Sequence, residues 1–145
     1  MLEHTALIEI SAPPGAVFAA ASSLDWFGPD IVIARLSGGD GLGGTYEVRT
    51  HAMGTDLAFV FMVDAADEPR RLGFSSIGAR ECSFHGEYLI EPLAEATAVH
   101  LHVKVTPHGR FRFFKPLLPP LMHHAMADTL SRLKMHVEQR LAEAA

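Results

Sequence analysis

Nine histidines, two tyrosines and a single cysteine carry most of the chemistry open to this chain. His100 and His102 share one parity of the run ATAVHLHVKVTP, and His85 or His51 falls on the same side of a neighbouring run. Three imidazoles on one patch hold zinc or copper. The same face also carries Glu47, Arg49, Glu87 and Lys104, the composition of a solvated surface, so no metal or other cofactor is assigned. His123 and His124 are adjacent in a helical pattern and diverge by roughly 100°, which prevents joint chelation; either one at a cavity mouth is a candidate acid or base. General acid–base catalysis needs an ionisable group held beside its substrate. The candidates for such a role are Tyr46, Arg49, Tyr88 and His123. Cys82, standing alone, excludes an internal disulfide and a multi-thiolate metal site. In an apolar strand it reads as a small core residue, and the chain is expected in the cytoplasm.

The elements that must position these groups follow from periodicity. LEHTALIEIS alternates and predicts a first strand. Pro13 and Pro14 open a short helix that places Val17, Phe18 and Ala21 on one face, and SSLDWFGPD continues as a second short helix closed by Gly28 and Pro29. Six further strands are predicted: IVIARLS, GTYEVRTHAM, TDLAFVFMVDA, RLGFSSI, ECSFHGEYLIEP and ATAVHLHVKVTP. Short Gly-, Asp- and Pro-bearing turns between them mean an antiparallel meander. A closing helix is expected to begin at Pro119 and Pro120, with Met122, Met126, Leu130 (or Thr129), Leu133, Val137 and Leu141 forming its apolar stripe.

Alternation sorts each strand into an inner and an outer set. The inner sets are Tyr46, Val48, Thr50 and Ala52; Leu57, Phe59, Phe61 and Val63; Leu72, Phe74 and Ser76; Cys82, Phe84, Gly86, Tyr88 and Ile90; and Val99, Leu101, Val103 and Val105. This interior holds hydroxyls and apolar groups but no arginine, histidine or carboxylate. Such a lining suits an apolar ligand pocket with a few polar fixing points and suits a packed core equally well. A β-bulge that flipped one strand's parity would bring Arg49, His51, His85 or Glu87 inside and favour an enzyme.

The net charge of −5 argues against nucleic-acid binding, which needs a basic face. The longest apolar run near the C-terminus, Pro116 to Met122, is about a third of a bilayer span. Glu3, His4 and Glu9 interrupt any signal-peptide core. One domain over residues 1–145 is expected.

Four stretches carry a family resemblance: ALIEISAPPGAVFAAASSLDWFGPD, GGDGLGGTYEVRT, GEYLIEPLAEATAVHLHVKVTPHGRFRFF, and PLLPPLMHHAMADTLSRLKMHVEQ with its Leu133, Lys134 and Glu138 ending. With these the chain resembles the START-like, or Bet v 1-like, helix-grip superfamily, and most of all its polyketide cyclase/dehydrase and lipid-transport branch. The resemblance implies a cavity between the sheet and the long helix for hydrophobic or aromatic molecules. Relatives include lipid carriers, hormone receptors, co-chaperone domains and cyclases, the last using cavity-facing arginine, tyrosine and tryptophan. Trp26 resembles the tryptophan near the second short helix, although it sits earlier after the aspartate and Pro29 stands where tryptophan is usual.

The expected fold is α+β helix-grip: a seven-stranded curved antiparallel sheet, two short helices and a long C-terminal helix, in the order β-α-α-β6-α. The expected function is binding or transport of a small hydrophobic, aromatic, polyketide-like or lipid-like molecule. The alternative is a polyketide cyclase/dehydratase-type enzyme. The residues expected against the ligand are Trp26, Tyr46, Phe59, Phe61, Phe74, Phe84, Tyr88, Met122, Met126 and Leu130. Phe111, Phe113 and Phe114 either staple their loop to the sheet or form a greasy rim over the cavity mouth, suited to transient membrane contact, and the protein is expected as a monomer or homodimer.

Overall fold

Alternation along the first run produces β1, Leu2–Ile10, whose side chains are half-buried and exposed by turns until Ile10 is fully enclosed. The computed structural model describes residues 2–23, 32–37, 42–52, 55–78 and 82–144. The second short helix was expected over SSLDWFGPD, residues 22–30; Ser22 and Ser23 belong instead to the end of the first helix, and residues 24–30, with Trp26, lie outside the described residues, as do the side chains of Thr50, His51, Ala52, Leu57, Cys82, Phe111 and Phe114. Helix α1, Pro14–Ser23, follows the double proline and buries Val17, Phe18 and Ala21, the face expected of it. The meander then runs through β2 (Val32–Ser37), β3 (Thr45–Ala52), β4 (Thr55–Asp67), β5 (Arg71–Ser76), β6 (Cys82–Pro92) and β7 (Thr97–Pro107).

These strands form a seven-stranded antiparallel sheet in the order β1-β7-β6-β5-β4-β3-β2. Register shifts occur between Arg35 and Ser37 on β2 and between Val63 and Ala65 on β4. Extra residues of this kind bend a strand and increase its twist, which curls the sheet toward the helix it holds.

The approach to that helix differs from expectation. GRFRFFKPL is a 3-10 helix, Gly109–Leu117, and α2 begins at Leu118, running to Ala144. On α2, Met126, Leu130, Leu133 and Val137 are buried at alternating four- and three-residue steps, as their spacing predicts. Met122 is only partly buried, and Leu141 at the end of the stripe is exposed, because the sheet no longer covers that last turn.

Polar contacts fix α2 against the first turn of the chain. Lys134 Nζ donates to the Glu9 carbonyl at 3.0 Å and to Glu138 Oε2 at 2.6 Å. The Ser11 amide donates to the same carboxylate oxygen at 2.8 Å. Beside it, the fully buried Thr97 hydroxyl donates to the Ala12 carbonyl at 2.6 Å. The Lys134 hydrogen bond, then that of the Ser11 amide, holds the Glu138 carboxyl below its usual pKa. A depressed carboxylate contributes stability above the ordinary carboxylate range, and that contribution is lost as pH falls through the folded-state pKa. Glu138→Gln is therefore expected to be less stable than the parent at neutral pH, with the gap closing on acidification. Urea unfolding at neutral and acidic pH reads this directly, and a gap that stays constant contradicts it.

Candidate functional site: an aromatic-walled cavity

Because each strand of the concave face contributes alternate side chains, the residues of inward parity meet over the sheet. Phe59, Phe61 and Val63 come from β4, Leu72 and Phe74 from β5, Phe84 and Tyr88 from β6, and Leu101 and Val103 from β7. Ala21 and Ser22 of α1 and Ala125, Met126 and Thr129 of α2 complete the lining, with Ile33 and Val48 from the far strands. They line a half-open cavity of about 220 Å³. That is below the ~300–1,000 Å³ of sites for drug-sized ligands, so the space fits a compact molecule.

The wall is an aromatic cluster in mixed geometry. Phe74 lies edge-on to Phe61 at 5.9 Å and to Phe84 at 6.1 Å, Phe59 is edge-on to Phe84 at 5.9 Å, and Phe74 is tilted against Tyr88 at 6.0 Å. Edge-to-face contacts of this kind present both ring faces and ring edges to an occupant. Phe74 reaches its position because its cross-strand partner is Gly86. A Cβ at Gly86 would stand 2.5 Å from the Phe74 ring, so any larger residue there displaces the ring.

Tyr88 is the ionisable group of the described wall. Burial pushes its phenol well above the ordinary tyrosine range, so the hydroxyl stays protonated at neutral pH and is a donor and acceptor, never a phenolate base. Among the described residues its hydroxyl has no protein hydrogen-bond partner, and it faces a lining whose other polar side chains are Ser22 and Thr129. Ser22 already donates to the Ala19 carbonyl at 3.0 Å.

The structure thus brings Phe59, Phe61, Phe74, Phe84, Tyr88 and Met126 together around one space. It separates other candidates from it. Tyr46 is buried and stacks on Phe61 at 5.3 Å, away from the lining. Leu130 packs into the core and Met122 against its edge. The helix is rotated so that Ala125, Met126 and Thr129 form the face over the cavity. Arg49 points outward, 69% exposed, and pairs with Glu47 at 2.7 Å. His123 is exposed on α2, its Nδ1 3.0 Å from His4 Nε2.

The other charged candidates among the described side chains also face outward. Glu87 pairs with Arg71 at 2.7 Å, His102 with Glu3 at 2.7 Å, and His85 hydrogen-bonds Ser75 at 2.7 Å. The β4 bulge follows Phe59, Phe61 and Val63, which stay inward; beyond Asp64 the parity changes, Ala65 pairing with Gly73 and Ala66 with Leu72, and this brings none of Arg49, His85 or Glu87 inside. Among the described residues no three histidine, cysteine or carboxylate groups gather as metal ligands. Ala21 was expected on the buried face of the first helix but neither it nor Ser22 was expected in the cavity lining; the signal was the small-residue run AAASS, which leaves room beside the sheet.

Comparison with known proteins adds the following. The family described as polyketide cyclase / dehydrase and lipid transport matches residues 1–138. No curated protein matches the chain. Among solved structures, the Zhui aromatase/cyclase of Streptomyces sp. R1128 superposes with a TM-score of 0.83 at 16% identity, covering 97% of this chain and 95% of that one. A Thermus thermophilus protein gives 0.76 at 22% identity over 99% of both chains. A START superfamily protein of Mycobacterium smegmatis gives 0.74 at 16% identity, over 94% of this chain and 97% of that one. At these identities the likeness is one of fold.

Proposed function

Because this chain belongs to the polyketide cyclase / dehydrase and lipid transport family, we propose that it binds a compact, largely aromatic molecule carrying a hydroxyl or carbonyl group. The observation that carries this reading is the cavity itself: an aromatic wall with a protonated Tyr88 hydroxyl that has no protein hydrogen-bond partner among the described residues. Burial of the ligand's rings supplies the affinity and Tyr88 supplies orientation. The cavity volume favours a fused two- or three-ring skeleton over a two-chain lipid. A reducing, cytoplasmic setting suits a chain whose single cysteine has no partner for an internal disulfide. No described helix is long and apolar enough to cross a membrane. We take the protein to act as a monomer or homodimer and as one domain, since one set of strands and helices builds the cavity.

The test has two parts. Native mass spectrometry of the protein as purified is expected to show a small apolar adduct that denaturation releases. Fluorescence titration with 2-naphthol is expected to show binding that Tyr88→Phe weakens about two- to tenfold, the net value of one hydrogen bond, while naphthalene binds parent and variant alike. Absence of both adduct and 2-naphthol binding overturns the reading. A cyclase or dehydratase draws on the same hydroxyl, placed to polarise a substrate carbonyl. There Tyr88→Phe lowers turnover far more than affinity, which separates the enzyme from the carrier.

A further inference from the structure

From Ala96 to Ala127 the chain contains no aspartate or glutamate, while Lys104, Arg110, Arg112 and Lys115 fall inside it; this segment carries +4 in a chain whose net charge is −5. Its most cationic part is the 3-10 helix Gly109–Leu117. There Phe113 leaves 86% of its surface to solvent, the highest value among the large hydrophobic side chains described, and Leu117 and Leu121 follow at 55% and 43%. Arg112, Pro116, Pro119 and Pro120 are exposed with them. Large apolar side chains left exposed within one short segment mark a contact surface, and cations interleaved with aromatic and aliphatic groups in the sequence suit the boundary between lipid headgroups and acyl chains.

We propose that the surface presented by Arg112, Phe113, Leu117 and Leu121 docks on an anionic lipid bilayer. Charge complementarity selects this occupant and its orientation: the rest of the chain is strongly acidic and is repelled by such a bilayer, so this segment alone is drawn to it. The size of the surface points the same way. A stable protein interface takes roughly 20–30 residues a side, whereas a few apolar side chains and cations suffice for reversible membrane attachment. Ala125, which lines the cavity, lies one helical turn beyond Leu121. Docking therefore sets the cavity wall beside the lipid surface. The inference rests on the binding reading above for its purpose, the exchange of an apolar molecule between bilayer and cavity.

The experiment is co-sedimentation of the full chain with vesicles of phosphatidylcholine alone and of phosphatidylcholine mixed with phosphatidylglycerol. Binding is expected to the anionic vesicles, to weaken with added salt, to fall about fivefold for Arg112→Gln, and to fall about tenfold for Phe113→Ser. In buffer, 2-naphthol binding is expected to be the same in all variants. The proposal is overturned if anionic vesicles fail to bind the protein at low salt, or if Phe113→Ser binds them as well as the parent. It is also overturned if sedimentation velocity shows a dimer that Phe113→Ser disperses while vesicles bind neither form, since a second copy then covers the surface. Failure of the cavity reading shows separately, as absent 2-naphthol binding with vesicle binding intact.

Discussion

Leu133→Ala is expected to remove about 2–5 kcal/mol of unfolding free energy. Leu133 has no solvent exposure and stands on α2 between Leu130 and Val137, both also buried. The truncation deletes three buried carbons and leaves a hole that the surrounding β-sheet, being hydrogen-bonded strand to strand, closes only in part. The loss approaches half of the ~5–15 kcal/mol that holds a typical domain together. Urea unfolding followed by circular dichroism measures it as a lower midpoint with an unchanged slope. A change below about 1 kcal/mol contradicts the account of α2 as the element on which the core is built. Because Leu133 lies outside the cavity lining, the surviving folded fraction is expected to keep its ligand affinity.

Gly86→Val is expected to do the reverse, emptying the site while sparing the fold. The new side chain would enter space that the Phe74 ring occupies 2.5 Å from the Cβ position. The strand backbone is locked by its pairing to β5 and β7, so the ring moves, and the open direction is the cavity. A space of about 220 Å³ has little room to share with a displaced phenyl group. Affinity for 2-naphthol is expected to fall at least about tenfold, equivalent to roughly 1.4 kcal/mol. The strain of the added carbons costs about 1–3 kcal/mol of stability. Pairing the change with Phe74→Leu removes the obstructing ring and is expected to restore much of the binding. If Gly86→Val binds the probe like the parent, the site of binding is elsewhere.

The sheet was legible because one of its faces is buried. A strand that slips by one residue turns its whole apolar set to water, so parity in GTYEVRTHAM and ECSFHGEYLIEP places Glu47, Arg49, His85 and Glu87 outside, where the structure has them. The bulge between Val63 and Ala65 left no distinct mark in the sequence: the added residue is Asp64, and an aspartate there reads equally well as an ordinary outward-facing position. The 3-10 helix was hidden for another reason: FRFFKPL has no helical stripe, and Pro116 interrupts the donors that a regular helix would use. On α2 the repeat identified the buried face, but the choice between Leu130 and Thr129 as the cavity residue depends on a rotation of tens of degrees. That rotation is settled by packing and by the Lys134 and Glu138 contacts to β1 and the turn after it, which lie far away in sequence. Tyr88 was named from parity; that its hydroxyl has no described protein partner required coordinates.

The pairing of β1 with β7 has a consequence for how the protein is made. Leu2 lies opposite Val105 and Ile10 opposite Thr97, so β1 has no neighbour in this sheet until β7 has left the ribosome. At translation rates of about 5–20 residues per second, β1 waits several seconds as an unpaired, half-apolar strand on the nascent chain. Strand β7, meanwhile, can settle at once against β6 as it emerges. The newborn chain is thus a partial sheet with its closing seam open, and that interval is when chaperones have most to bind and when two neighbouring chains on one message are best placed to exchange their first strands.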